Sequence, residues 1–340
     1  MLPPNHPDVK PQKIGVLLIN LGTPEATDYW TMRKYLSEFL SDKRVIDYPS
    51  IFWQPLLQGI ILSVRPKKSG HAYEQIWNTR DDESPLRTYT RIQCEELAGR
   101  FQKKHPEIIF DWAMRYGTPP IAKGIDNLRD QGCQKIILFA LYPQYSASTT
   151  ASVYDKAFDH LKKIVWQPAI RSVPSFHDDP DYIDALAKIA QETLEALPKK
   201  PEVMVTSFHG LPTRYLTKKG DPYHCQCQKT SRLVQEALGW PKDKWITTFQ
   251  SRFGPEKWLQ PYTDKTIEQL ARDGVKHIGI MSPAFVSECV ETLEEICIGV
   301  KESFIEHGGE EFTYIPCLND SKIGIDLFEK IVSRELQGWT

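Results

Sequence analysis

No stretch of the 340 residues is apolar for the roughly 20 positions that a bilayer-spanning helix needs, so the sequence is not that of an integral helical membrane protein. The start, MLPPNHPDVKPQK (1–13), is polar and rich in proline and has no apolar core, so it is not expected to be a secretory signal. No charge excess points to nucleic acid, because 42 Lys and Arg stand against 44 Asp and Glu. The seven cysteines are irregularly spaced, and without a signal they read as reduced thiols of a cytoplasmic protein. The first β-like run is followed by NLGTPEATD (20–28), which lacks G-x-G-x-x-G, and the chain carries neither a P-loop nor G-x-S-x-G. Those absences disfavour nucleotide and acyl-transfer chemistry.

What is present is an alternation of short β-branched runs with amphipathic helical stretches, which predicts an α/β fold with parallel sheets. Residues 24–40 read as a helix with Tyr29, Met32, Leu36 and Phe39 on one face. The length suits two domains of ordinary size. The pattern also occurs twice. GVLLINLGTP (15–24) corresponds to VMVTSFHGLP (203–212), FDWAMRYG (110–117) to ITTFQSRFG (246–254), IDNLRDQGCQKIILFALYP (125–143) to IEQLARDGVKHIGIMSP (267–283), and IRSVPSF (170–176) to FTYIPCL (312–318). The repeat predicts two similar parallel-sheet halves facing each other, divided as 14–178 and 179–340, with the last helix a candidate to pack on the first half. Ligands of such sheets bind at the carboxyl ends of strands. Aligning Gly22 with Gly210 sets Leu21 against His209 at those ends, across one cleft.

The first half is longer between its first two strands by an insertion at about 41–90. Within it Trp53, Leu56, Leu57, Ile60, Ile61 and Val64 form a helical stripe, with Pro55 expected in the first turn and Pro66 expected to stop the helix. An ordinary core-facing helix explains this stripe; an apolar lip that receives a flat ligand or rests on a membrane is the functional alternative. In the second half Glu288, Glu291 and Glu295 are spaced i, i+3, i+7, which puts them on one helix face, with Val290, Leu293, Cys297 and Val300 opposite. A solvated face explains most such rows, but this one begins at the strand edge that carries His209. Imidazole and carboxylates together suit proton transfer and Fe2+ binding. Cys225-x-Cys227 beside His224 invites a metal reading; the spacing is short for a zinc site, and a plain loop with reduced thiols is favoured. His177, His277 and His307 read as surface or structural.

NLGTP (20–24), RYG (115–117), YPQYSASTT (142–150), SFHGLP…GDPYHCQC (207–227), GPEKWLQP (254–261) and SPAFVSECVETLEEI (282–296) together resemble the ferrochelatases, in family order over nearly the whole chain. WQPLLQGIIL…RPKKSG makes the bacterial, Gram-negative type the nearest in kind. The resemblance implies two Rossmann-like halves in a chelatase-like fold. It implies insertion of Fe2+ into protoporphyrin IX to give protoheme with release of two protons, the last step of haem biosynthesis. His209 then matches the family's active-site histidine and Glu291 its paired glutamate, both candidates to meet the metal, with Glu288 and Glu295 on the acidic path beyond. Leu21, Tyr73, Ser84, Arg115, Tyr116, Tyr142, Trp258 and Phe285 match positions around the macrocycle. Cys289 stands where animal enzymes have a second histidine. The tail has only Cys317, so no iron–sulfur cluster and no resident cofactor is expected. A monomer is expected, cytoplasmic, with a peripheral membrane contact through Ile51–Val64. A related chelatase with another metal or tetrapyrrole, a non-catalytic porphyrin carrier, and a two-domain periplasmic binding protein remain open as alternatives, the last disfavoured by the missing signal.

Overall fold

The computed structural model describes residues 11–340 together with 3, 5 and 6; the rest of the Pro-rich start, 1, 2, 4 and 7–10, lies outside the described residues. β1 (Lys13–Gly22) is apolar along most of its length and buried on both faces, as a central parallel strand must be. It lies between β2 (Ile108–Tyr116) and β3 (Cys133–Ala140), and β4 (Ala169–Ser172) adds to β3, giving the order β2-β1-β3-β4. In the second sheet β5 (Val203–His209) takes the place of β1, with β6 (Trp245–Gln250), β7 (His277–Met281) and β8 (Glu311–Ile315) in the order β6-β5-β7-β8. Every pairing in both sheets is parallel. The expected α/β architecture of two like parallel sheets is what the chain forms.

The first half carries α1 (Tyr29–Ser41), α2 (Ser50–Leu56), α3 (Leu62–Glu74), α4 (Pro85–Gln102), α5 (Ile121–Asp130) and α6 (Ser152–Leu161). The second carries α7 (Pro180–Glu195), α8 (Thr213–Lys219), α9 (Tyr223–Ala237), α10 (Thr263–Arg272), α11 (Val290–Thr292), α12 (Lys301–Glu306) and α13 (Lys322–Leu336). Period-two alternation on β1 sorts its side chains between two cores. Leu17 and Ile19 pack with Ile121, Ile125 and Leu128 of α5, whereas Val16 and Leu18 join a cluster with Tyr182 of α7 and Phe328 of α13. That second cluster also contains Met204 of β5 and Met281 of β7, so the largest core is shared by both sheets. α13 reaches back to α4, where Arg100 pairs with Asp326 at 2.6 Å and Glu329 at 2.8 Å.

Two helices differ from the expected outlines. α1 begins at Tyr29 because Asp28 caps it, accepting from the N–H of Trp30 at 2.9 Å and Thr31 at 3.2 Å. The insertion helix runs through Pro66: α2, a π-helical turn at Leu57–Ile61 and α3 are continuous, and Pro55 lies beyond the first turn. Proline at 66 has no N–H to offer the carbonyl of Leu62. That oxygen instead accepts from the Tyr29 hydroxyl at 3.0 Å and Arg33 Nη1 at 2.5 Å. Tertiary partners therefore replace the lost bond, and the helix does not stop.

Candidate functional site

The glycines of the repeat, Gly22 and Gly210, end the two central strands for the same reason. A Cβ on Gly22 would stand 1.9 Å from the carbonyl oxygen of Tyr116, and one on Gly210 2.7 Å from that of Gln250. Each neighbouring strand closes against the missing side chain. The strand register then fixes which residues correspond. Met114 N–H donates to Pro119 O at 2.7 Å, and Phe249 N–H donates to Pro261 O at 2.9 Å. Met114 thus corresponds to Phe249, and Arg115 to Gln250. The R-[YF]-G correspondence of the sequence is two residues out of step. Arg252 lies past the end of β6 in a loop and pairs with Asp264 at 2.8 Å. Pro119 follows Met114 by five residues, and Pro261 follows Phe249 by twelve. The second half's longer loop carries Phe253, Glu256 and Trp258.

His209 is half-buried at the carboxyl end of β5, with Nδ1 2.7 Å from Gly210 O. Beside it in the sheet is Gln250, which the sequence reading missed. Ser207 Oγ donates to Gln250 Oε1 at 2.6 Å, which orients the amide so that Nε2 donates to Glu291 O at 2.7 Å and to Glu295 Oε2 at 3.2 Å. Ser251 follows at φ 60°, an uncommon backbone for a side-chain-bearing residue, and its hydroxyl donates to the same Glu295 oxygen. Burial first, then the charge of Glu291, push the Glu295 carboxyl up to about 6, against the pull of Ser251, His209 and Gln250. His209, Glu291 and Glu295 therefore share one electrostatic site.

Glu288 does not continue that row. The helix begins at Val290 with Cys289 as its cap, so Glu288 precedes it. Its carboxylate is turned into a closed cage: Oε2 accepts from Tyr314 at 2.9 Å and from Thr292, and Oε1 from the N–H of Cys317 at 2.9 Å. From Leu293 to Val300 the helix is wound as π-helix, so ordinary α-helical spacing does not describe the row. Val300, on the face expected to turn inward, is buried, but Leu293 and Cys297 are only partly so, and Ile296 is the buried residue between them.

Facing this edge is an aromatic wall from the first half. Tyr35, Leu36, Trp53, Tyr73 and Tyr116 are buried in one cluster, and Leu21 packs on it together with Phe253 and Val290 of the second half. Leu21 thus packs on the same cluster as Phe253 and Val290, which flank the His209–Glu291 edge in sequence. Burial, and next the charge of Glu291, raise the Tyr73 phenol well above its ordinary value. Tyr142 is raised by burial too, and its hydroxyl is sealed from solvent with no hydrogen-bond partner. Arg115 and Tyr116 are engaged by Asp42 and Ser152, which sequence reasoning did not single out. Arg115 Nε donates to Ser152 Oγ at 2.7 Å, its Nη2 pairs with Asp42, and the Tyr116 hydroxyl donates to Asp42 Oδ2 at 2.8 Å. Burial opposes the charge on Asp42, but hydrogen bonds from Ser152 and the Arg44 N–H, with the charge of Arg115, keep its carboxyl below the usual range.

Trp258 lies on the opposite side, its ring 3.1 Å from where a Gly210 Cβ would stand and its Nε1 donating to Phe253 O at 3.0 Å. Phe285 is half-buried just after β7. Ser84 is buried as the N-cap of α4, accepting from the Arg87 N–H at 3.3 Å. His224, Cys225 and Cys227 lie in helix α9, not in the expected loop; Cys227 is buried, Cys225 is exposed, and His224 stacks on Phe249 at 5.6 Å. Among the described residues no group of three or more His, Cys, Asp and Glu side chains is set to hold a metal ion. His209 and Glu291 offer two donors, and an ion meeting them would take its remaining ligands from elsewhere.

The insertion helix splits its apolar stripe. Trp53 and Leu57 are buried, while Phe52, Leu56, Ile60 and Val64, four residues apart, face outward with Ile51 and Trp30; Ile51 and Phe52 are 77% and 75% exposed. Lys67 and Lys68 lie exposed beyond the row. No helix among the described residues is long and apolar enough to cross a membrane.

A sequence model described as Ferrochelatase matches residues 13–336. A ferrochelatase of Agrobacterium fabrum is 60% identical over 338 residues, covering 99% of this chain and 98% of that protein. A ferrochelatase of Rhizobium meliloti is 57% identical over 334 residues, covering 98% of each. Among solved structures, SirB from Bacillus subtilis with Fe3+ superposes with a TM-score of 0.54 at 11% identity, over 96% of this chain and 97% of that one. CbiX, described as the terminal enzyme of siroheme biosynthesis in denitrifying bacteria, gives 0.50 at 14% identity, over 95% and 100%. At such identities these two likenesses concern the fold alone.

Proposed function

The chain belongs to the ferrochelatase family, and from that premise we propose that it inserts Fe2+ into protoporphyrin IX, giving protoheme and two protons, in the cleft between the Tyr73–Tyr116 wall and the His209 edge. The observation that supports the assignment of residues is the linkage of Glu291 and Glu295 through Gln250 and Ser251, with the charge of His209 acting on the Glu295 carboxyl and His209 paired with Gln250 in the sheet.

The chemistry demands a base near neutral pH, because the two N–H nitrogens of the ring must lose their protons as the metal enters. A half-buried imidazole at a strand end suits that role. Glu291 lies next along, and Glu295, with its carboxyl raised to about 6, accepts a proton at moderate acidity and returns it readily. Glu288, sealed by Tyr314, Thr292 and Cys317, is a poorer next acceptor. Fe2+ is a substrate in this reading, and no resident cofactor takes part. The rings of Tyr73, Trp258 and Phe285 and the apolar side chain of Leu21 suit a macrocycle. Binding that bends the ring out of plane points the nitrogen lone pairs toward an incoming metal, so binding energy lowers the barrier. Both walls come from one chain, so a monomer suffices.

The outward row Phe52, Leu56, Ile60 and Val64, with the lysines beyond it, supports a peripheral contact with an anionic membrane face from the cytoplasmic side. Such a contact would let a poorly soluble porphyrin pass without crossing water.

The test is anaerobic Fe2+ insertion into protoporphyrin IX, followed with His209→Ala and Glu291→Gln. Loss of a general base predicts a fall of about 10²–10⁴-fold in kcat for His209→Ala with porphyrin binding retained. Near-wild-type metallation by that variant removes His209 from the mechanism. Wild-type protein that binds porphyrin but consumes no Fe2+ is a carrier.

A further inference from the structure

Three segments far apart in sequence meet at one guanidinium. Arg214, at the start of α8, donates from Nη1 to Asp47 at 2.5 Å and from Nε to Glu256 at 2.6 Å. Its guanidinium lies over the rings of Tyr215 at 4.9 Å and Tyr48 at 5.6 Å. Lys219 adds a second cation on Asp47, and the Tyr48 hydroxyl donates to Glu256. The group is shielded: the side chains of Arg214, Asp47 and Glu256 are 28%, 18% and 22% exposed. The Arg214 hydrogen bond foremost, with Lys219 adding to it, holds the Asp47 carboxyl down to about 2 against its burial, so the pair stays charged across ordinary pH.

What each segment carries gives the cluster its meaning. Asp47 and Tyr48 immediately precede Pro49, the cap of the insertion helix, and the Tyr48 ring lies 6.1 Å from that of Trp53 in α2. Glu256 belongs to the long loop of the second half, two residues before Trp258. Arg214 follows His209 by five residues. The same helix and loop touch a second time, where the Arg65 guanidinium lies 4.5 Å over the Phe253 ring. The cluster therefore ties the start of the insertion helix to the loop that carries Trp258.

Resting on the chelatase reading above, we propose that Arg214 is a positioning residue whose fork to Asp47 and Glu256 sets the gap between the lip helix and the Trp258 loop, and so holds the macrocycle against His209. A forked guanidinium grips two carboxylates at once, which a lysine ammonium cannot do with the same geometry. Without the grip the porphyrin still enters but is held less closely in the reactive pose, and misplacement of that kind lowers kcat.

The experiment compares Arg214→Gln, Arg214→Lys, Glu256→Gln and the Arg214→Gln/Glu256→Gln pair. Stopped-flow fluorescence measures release of protoporphyrin IX, and anaerobic Fe2+ insertion is expressed per porphyrin-binding site. Arg214→Gln is expected to speed release about tenfold and lower kcat about tenfold. Arg214→Lys is expected to recover part of both, and the double variant to add little to Arg214→Gln. A purely structural role would lower the melting temperature and the number of binding sites while leaving release and kcat per site at wild-type values; that result overturns the proposal. Should Arg214→Gln fail to fold, Glu256→Gln keeps the Asp47 pair and must shift both quantities the same way, and unchanged values again overturn it. Wild-type protein that inserts no iron overturns the chelatase reading itself, whereas an active wild type with unaltered variants overturns the clasp alone.

Discussion

Replacing Glu295 with glutamine is expected to stabilise the protein at pH 8 and to do nothing at pH 4. The carboxyl is raised from an ordinary 4.5 to about 6 by burial and by Glu291. A raised carboxyl means that the folded state holds its proton more tightly than the unfolded state. Stability is therefore full below about 4.5, falls as pH climbs to about 6, and stays low above that. At about 1.4 kcal/mol per unit, the shift corresponds to a charged-form penalty of about 2 kcal/mol. Glutamine removes it without breaking the local bonds, because Ser251 and Gln250 both donate to a single carboxylate oxygen that an amide oxygen can replace. With an unfolding entropy of ~2.1 cal/mol/K per residue over 340 residues, 2 kcal/mol corresponds to about 3 °C in Tm. The shared core favours one cooperative transition, so calorimetry at pH 4 and pH 8 on both proteins gives the comparison directly. A Glu295→Gln protein that melts below wild type at pH 8, or that differs equally at the two pH values, refutes the reasoning.

Tyr142→Phe removes a buried hydroxyl that has no partner, so chemical denaturation should show unchanged stability or a gain of up to about 1 kcal/mol; a loss larger than that would mean the hydroxyl is bonded. Leu56→Glu with Ile60→Glu charges the outward row while leaving Trp53 and Leu57 in place. Binding to vesicles rich in phosphatidylglycerol should fall at least tenfold, and iron insertion in detergent should persist; vesicle binding at the wild-type level removes this row from the membrane contact.

The sequence by itself determined the two parallel sheets, because an apolar run ending in glycine, followed by an amphipathic helix, reports local geometry that no later packing reverses. It also placed His209 at a strand end, since the position after such a run is set by chain direction alone. Motif likeness named Tyr73 and Tyr116 of the aromatic wall, with Arg115 beside it and Trp258 on the opposite side, but not Tyr35. What the residues could not report was register and company. Gln250, not Arg252, stands where Arg115 does, because the extra residues of the second half sit in the loop beyond the strand, and a repeat matched by residue type slides across such an insertion. Glu288 left the acidic row because Cys289, rather than the preceding strand end, starts the helix. Pro66 failed to end its helix because Tyr29 and Arg33, over thirty residues upstream, take the carbonyl it strands. The lip's stripe divided because only the tertiary structure supplies something for Trp53 and Leu57 to pack against and nothing for Phe52, Leu56 and Ile60. Periodicity fixes the angle at which a side chain leaves its helix or strand. What it meets there is decided by elements a hundred or more residues away, as Asp42 with Ser152 and Asp47 with Arg214 show.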